Sequence, residues 1–289
     1  MTEAQEIYRK VRQIEIRTRS LSQQLFSGAY HSSFKGRGMS FSEVREYQYG
    51  DDVRHIDWNV TARTGQTQVK VFEEERELTL LIMADISRSM NFGSSESEKR
   101  QWQTELAAVL AFSANQNHDK TGLILFSDRI HLYLPPKKGR QHLLRIIREL
   151  LVRRSDSGST DFHLPLQHLS RVQSKRCIAF LMSDFHAPLP EATLRIAARR
   201  HELIGLQIRD VLERELPVAG LLPLMDLEEG YEMLVDTSKP SWAESYRRSC
   251  AQHSQSVREQ FIRARADFLD LDPGVPLVKS LLGFFKKRK

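Results

Sequence analysis

The segment Leu80-Leu81-Ile82-Met83-Ala84-Asp85-Ile86-Ser87-Arg88-Ser89-Met90 decides the reading of the fold. The apolar run over residues 78–84 is what a strand buried on both faces of a parallel sheet requires. It passes directly into Asp85-x-Ser87-x-Ser89. Ligands of an open α/β sheet sit beyond the carboxyl ends of its strands. Alternation in extended chain aims Asp85, Ser87 and Ser89 the same way. Hard oxygen ligands at that spacing suit a small hard cation.

Strands and helices alternate onward from this run. Trp102, Leu106, Val109 and Leu110 mark a helix, and residues 122–126 and 130–134 are strands joined by a hairpin at Ser127-Asp128-Arg129. Leu143, Ile146, Ile147, Leu150 and Leu151 lie on the next helix, followed by a short one over 164–172. A strand over 177–182, a helix over 191–200 and a strand over 203–208 complete the series. The fold class is therefore α/β, a doubly wound, mostly parallel sheet with helices on both faces.

Toward the N-terminus, Ile7, Val11, Ile14, Leu21 and Leu25 recur at helical spacing, and the Gly- and Ser-rich residues 28–42 read as a loop. Residues 41–72 read as short strands and turns, with 68–72 extended. Toward the C-terminus, residues 221–227 and 231–235 flank Glu228-Glu229-Gly230 as a hairpin. Ser241 and Glu244 behind Pro240 read as a capping box opening a long helix. Its apolar face runs through Trp242, Tyr246, Cys250, Val257, Phe261 and Phe268, and Asp272-Pro273-Gly274 ends it. The expected division is an N-terminal part (1–75), a central α/β domain (76–210) and a C-terminal part (211–289).

Composition narrows the class. The 289 residues are 40% hydrophobic and 28% charged, as in a globular chain. Two cysteines without zinc or CxxC spacing, Cys177 and Cys250, point to a reduced, cytoplasmic setting. The charged N-terminus is no signal peptide, and no apolar run approaches the roughly 18 residues of a membrane span. A net charge of +6 permits acidic partners without selecting one. The apolar and basic tail ending in Phe284-Phe285-Lys286-Lys287-Arg288-Lys289 offers a weak membrane-surface contact, placing the protein at most peripherally at the inner membrane, against the alternative of a solvated end.

Two more pieces join Asp85. Thr160, within Gly158-Ser159-Thr160-Asp161, offers a hydroxyl from a loop, and Asp184 closes an apolar strand. The set Asp85-x-Ser87-x-Ser89, Thr160 and Asp184 resembles the metal-ion-dependent adhesion site of von Willebrand factor A domains. That resemblance implies Mg²⁺, or Mn²⁺ or Ca²⁺, contacted by Ser87, Ser89 and Thr160. Asp85 and Asp184 would act through water, and a partner's Asp or Glu would complete the shell. Arg88, Asp161 and His186 are candidate partner-contacting residues at the rim. The bland alternative makes the aspartates helix caps and the serines turn formers.

A second stretch runs from Gly36-Arg37-Gly38-Met39 through Gly50-Asp51-Asp52-Val53-Arg54-His55-Ile56-Asp57-Trp58 to Ala62-Arg63. It resembles the signature of the bacterial domain-of-unknown-function family fifty-eight, whose members carry a von Willebrand A-like domain. The resemblance implies association with a MoxR-type AAA+ ATPase, as an adaptor for a client in protein maturation or stress response. Within the stretch, Gly50, Asp51, Asp52, Arg54, Asp57 and Arg63 are expected to be structural, a charge network with Trp58 as packing anchor.

No phosphate-binding loop and no nucleophile elbow occur, so an enzyme is not expected. The enzyme alternative is a Mg²⁺ phosphohydrolase with Asp85 as nucleophile. Such enzymes want a second carboxylate where Ser87 stands, and a serine is a poor proton donor. Nucleic-acid binding is the other alternative, although the chain has no aromatic-and-basic stacking motif.

Overall fold

The computed structural model describes residues 3–26, 40–73, 78–93, 99–155, 158–225, 232–272 and 275–288. Residues 36–39 of the signature stretch, the turn Glu228-Glu229-Gly230, Pro273-Gly274 and Lys289 lie outside them, as does most of the loop read over 28–42. The chain forms two compact units, residues 34–77 and the remainder. The N-terminal helix and the C-terminal segment both belong to the larger unit.

That larger unit is built on six strands: β3 (Thr79–Asp85), β4 (Lys120–Phe126), β5 (Ile130–Lys137), β6 (Ile178–Ser183), β7 (Glu202–Ile208) and β10 (Asp267–Leu271). Their order is β10-β7-β6-β3-β4-β5, parallel throughout except for β5, which pairs antiparallel with β4. This is the doubly wound, mostly parallel sheet expected. β3 sits at the centre, and its residues 80–85 are fully buried, which is why they read as one apolar run.

Two groups of mutually packing helices cover the sheet. One joins α1 (Glu3–Phe26), α3 (Lys99–Gln116), α4 (Arg140–Val152) and α8 (Leu277–Lys287). The other joins α5 (His163–Val172), α6 (Glu191–Arg200) and α7 (Pro240–Arg263). Leu81 and Met83 pack in one cluster with Leu166, Leu169, Leu194 and Phe261 of the second group. Alternation along the strand leaves Leu80, Ile82 and Ala84 for the opposite face.

Three C-terminal expectations need correction. The long helix stops at Arg263, Arg265 takes a positive φ of 60°, and Phe268 lies on the edge strand β10. Ser241 makes no capping box, because the helix starts with Pro240 at its first turn and Lys239 as its cap. The apolar tail is the docked helix α8, with Val278, Leu281 and Phe285 buried, so these side chains are unavailable to a lipid surface. The antiparallel pair β8 (Leu221–Met225) and β9 (Glu232–Asp236) is the hairpin expected there. Among the described residues no helix is long and apolar enough to cross a membrane.

The smaller unit holds β1 (Ser40–Glu46) and β2 (Gln68–Glu73), paired antiparallel, and between them α2 (Trp58–Thr64), which the sequence reading did not resolve. Local carboxylate caps shape it. Asp57 Oδ1 accepts from the amides of Asn59 and Val60 and starts α2. Asp52 Oδ1 accepts from the Arg54 amide, and Gly50 turns at φ 106°. The charges pair differently from the expected network. Asp51 takes a two-pronged pair from Arg45 at 2.8 Å, Asp57 pairs with Lys70 at 3.2 Å, and only Asp52 and Arg54 pair within the set. Arg63 is exposed. Trp58 is 68% exposed and Tyr49 fully so, so Trp58 is not the packing anchor expected.

Candidate metal centre

The carboxyl ends of β3 and β6 meet as parallel neighbours, so Asp85 and Ser183-Asp184 emerge side by side. The chain leaves β3 through a 3₁₀ turn over Arg88–Asn91, which folds Ser87 and Ser89 back over the strand end. Their hydroxyl oxygens lie 3.2 Å apart. Thr160 arrives from the loop before α5, tied down where the Asp161 amide donates to the Ser127 carbonyl. The five residues read from the sequence are thus brought together at the carboxyl-terminal end of the sheet.

Asp85 is fully buried and accepts three hydrogen bonds. Oδ1 takes the Ser87 amide at 2.8 Å, and Oδ2 takes Ser183 Oγ at 2.7 Å and Thr160 Oγ1 at 3.3 Å. No cation faces it among the described residues. Burial, and then the negative charge of Asp184, push its pKa above the usual carboxylate range. Asp184 is different. Burial would raise it as well, but the Lys99 ammonium, 2.9 Å from Oδ2, holds it below that range, with His186 adding to the effect.

Four residues outside the sequence reading organise this centre. Ser183 anchors Asp85. Gln103 Nε2 donates to the carbonyls of Asp85 and Met182, tying the two strand ends together. Lys99, almost fully buried, bridges Asp184 and Glu213. Glu213 is itself fixed by accepting from the Asp210 amide at 2.8 Å. A signal for two of them is present in the sequence. Lys99 and Gln103 are one helical turn apart and continue the stripe of Leu106 and Leu110, so polar groups at the head of a buried stripe announce a polar floor.

The rim residues separate. Arg88 is exposed, and Asp161, also exposed, spends Oδ1 on the His163 amide. His186 reaches the cluster, with Nε2 3.6 Å from Glu213 and its amide on Asp184 Oδ1 at 3.3 Å. Its pKa is raised by the Glu213 carboxylate beside it and by the charge of Asp184. Asp184, His186 and Glu213 converge closely enough to share an ion. The Lys99 ammonium already lies between the two carboxylates, however.

The residues present fit a small divalent cation. A buried carboxylate with a second carboxylate nearby and no cation of its own is a site short of positive charge. The 3.2 Å between the Ser87 and Ser89 oxygens is close to the roughly 3 Å that separates adjacent ligands of an octahedral ion with bonds of about 2.1 Å.

A model of one family, described as protein of unknown function DUF58, matches residues 43–256, from the smaller unit through the metal constellation into α7. The chain belongs to this family. A curated relative, an uncharacterised protein of Mycobacterium tuberculosis, is 28% identical over 284 residues, covering 96% of this chain and 89% of that one. Among solved structures, an aerotolerance-related membrane protein from Bacteroides fragilis superposes with a TM-score of 0.47 at 13% identity, covering 73% of this chain and 99% of that one. BatB, a conserved hypothetical protein from Bacteroides thetaiotaomicron, superposes at 0.44 with 15% identity, covering 73% and 98%.

Proposed function

We propose that this DUF58 protein is a cytoplasmic, metal-dependent protein-binding module and not an enzyme. The observation that carries the reading is Asp85, a buried carboxylate fixed by donors from Ser87, Ser183 and Thr160 and lacking a cationic partner among the described residues. Ser87, Ser89 and Thr160 would hold the ion, and Mg²⁺ is the cation their hard oxygens suit. Asp85 and Asp184 would orient its waters. The ion, when bound, supplies a coordination position that a carboxylate from a partner can fill. A site of neutral hydroxyls leaves that position attractive to an outside anion. The absence of a second carboxylate at Ser87 favours gripping over phosphoryl chemistry, which needs an acid–base group there.

The partner assigned is a MoxR-type AAA+ ATPase, with a client protein, on the strength of the family resemblance. The test is capture of the tagged protein from a native lysate, wild type and Asp85→Ala, in Mg²⁺ and in chelator, read by mass spectrometry. An AAA+ ATPase retained only by the wild type in Mg²⁺ supports the reading. A catch that ignores both chelator and substitution overturns it.

A further inference from the structure

Lys99 has no place in the metal constellation read from the sequence, yet its ammonium is buried beside it. Nζ lies 2.9 Å from Asp184 Oδ2 and also contacts Glu213. The lysine is anchored at the first residue of α3, and the side chain is 1% exposed, so water does not screen it. Glu213 comes from the segment after β7 and is positioned by the Asp210 amide, so the ammonium is shared between two fixed carboxylates.

From this placement we infer that Lys99 sets the metal affinity of the centre and makes it depend on the partner. This rests on the metal-binding reading above. Lys99 offsets part of the negative charge that Asp85, Asp184 and Glu213 would otherwise present to a divalent ion, and its ammonium repels the ion directly. A partner's carboxylate restores the charge that Lys99 removes. Metal and partner therefore bind weakly alone and tightly together, each raising the affinity of the other by the same factor. Glu213 moderates the effect by holding part of the ammonium's charge away from Asp184.

The experiment is Mg²⁺ titration of the full chain by calorimetry at fixed pH and salt, for wild type, Lys99→Met and Glu213→Gln, with Asp85→Ala as the blank. Removing a buried positive charge 2.9 Å from Asp184 Oδ2 is expected to tighten Mg²⁺ binding by at least about tenfold. Glu213→Gln is expected to weaken it, because the ammonium then belongs wholly to Asp184. Lys99→Met binding no tighter than wild type overturns the inference while leaving the metal site intact. Uptake by neither wild type nor Lys99→Met overturns the inference and the metal reading together. Should circular dichroism show Lys99→Met unfolded, Glu213→Gln decides: weaker binding supports the inference, and equal or tighter binding overturns it.

Discussion

Ser183 Oγ donates to Asp85 Oδ2 at 2.7 Å across the adjacent ends of β6 and β3. The same oxygen accepts from the Phe185 amide at 3.1 Å, so the hydroxyl both orients the carboxylate and turns the chain out of β6. A net hydrogen bond to a charged group contributes about 1.5–3 kcal/mol. Ser183→Ala is expected to lower unfolding stability by about that amount and to weaken Mg²⁺ uptake several-fold, since Asp85 loses its shortest donor. Urea unfolding and metal titration of the variant check this. Unchanged values in both would show that Ser183 does not position Asp85.

Gly205 on β7 owes its identity to Phe261 on α7. A Cβ built on Gly205 would stand 2.5 Å from the Phe261 ring, far inside contact distance. Overpacking a filled core costs about 1–3 kcal/mol. Gly205→Ala is expected to destabilise the protein by at least that much, and Phe261→Leu in the same chain to recover part of the loss. A double-mutant cycle in urea measures the coupling, and strict additivity would contradict the contact.

His201 gives the protein an acid-sensitive slope. Burial, and then the charges of Arg200 and Arg176, hold its pKa down to about 4. Nε2 finds no partner among the described residues, as suits a neutral ring. The unfolded chain takes up this proton near pH 6.5 and the folded chain only near 4, so between those values the unfolded state binds more protons. The stabilisation is full above pH 6.5 and is lost as pH falls toward 4. Denaturation midpoints measured across that window should fall, and should fall less in His201→Gln. Parallel slopes in the two proteins would refute the assignment.

Trp58 is 68% exposed at the first turn of α2. Surface substitutions away from special backbone geometry change stability by no more than about 0.5 kcal/mol. Trp58→Ala should fall within that range by thermal or urea unfolding. A loss of several kcal/mol would restore the packing role that the sequence suggested.

The sheet and the gathering of the five candidate-site residues were legible in the sequence for a local reason. β3 and β6 are apolar runs that end in Asp85 and Ser183-Asp184, and the topology of a parallel sheet brings strand ends together without further information. Lys99, Gln103 and Glu213 were not legible as members of the centre, because the contacts that place them there span 85, 18 and 114 residues of sequence and only tertiary packing defines them. The end of α7 was hidden for another reason. The helix stops at a left-handed Arg265 where the common signal is a glycine, and Phe268 continues the apolar spacing although it lies on a strand, its ring 5.3 Å from that of Phe261. Trp58 misled because a large aromatic amid charges reads as an anchor, whereas the carboxylate caps and ion pairs shape that unit locally.

Mn²⁺ titration followed by electron paramagnetic resonance of the free ion, in wild type and Asp85→Ala, decides whether Asp85 organises a divalent-cation site. One saturable Mn²⁺ per wild-type chain is expected, displaced by Mg²⁺ and absent from a folded Asp85→Ala. Equal uptake by the two proteins, or none by the wild type, would contradict it.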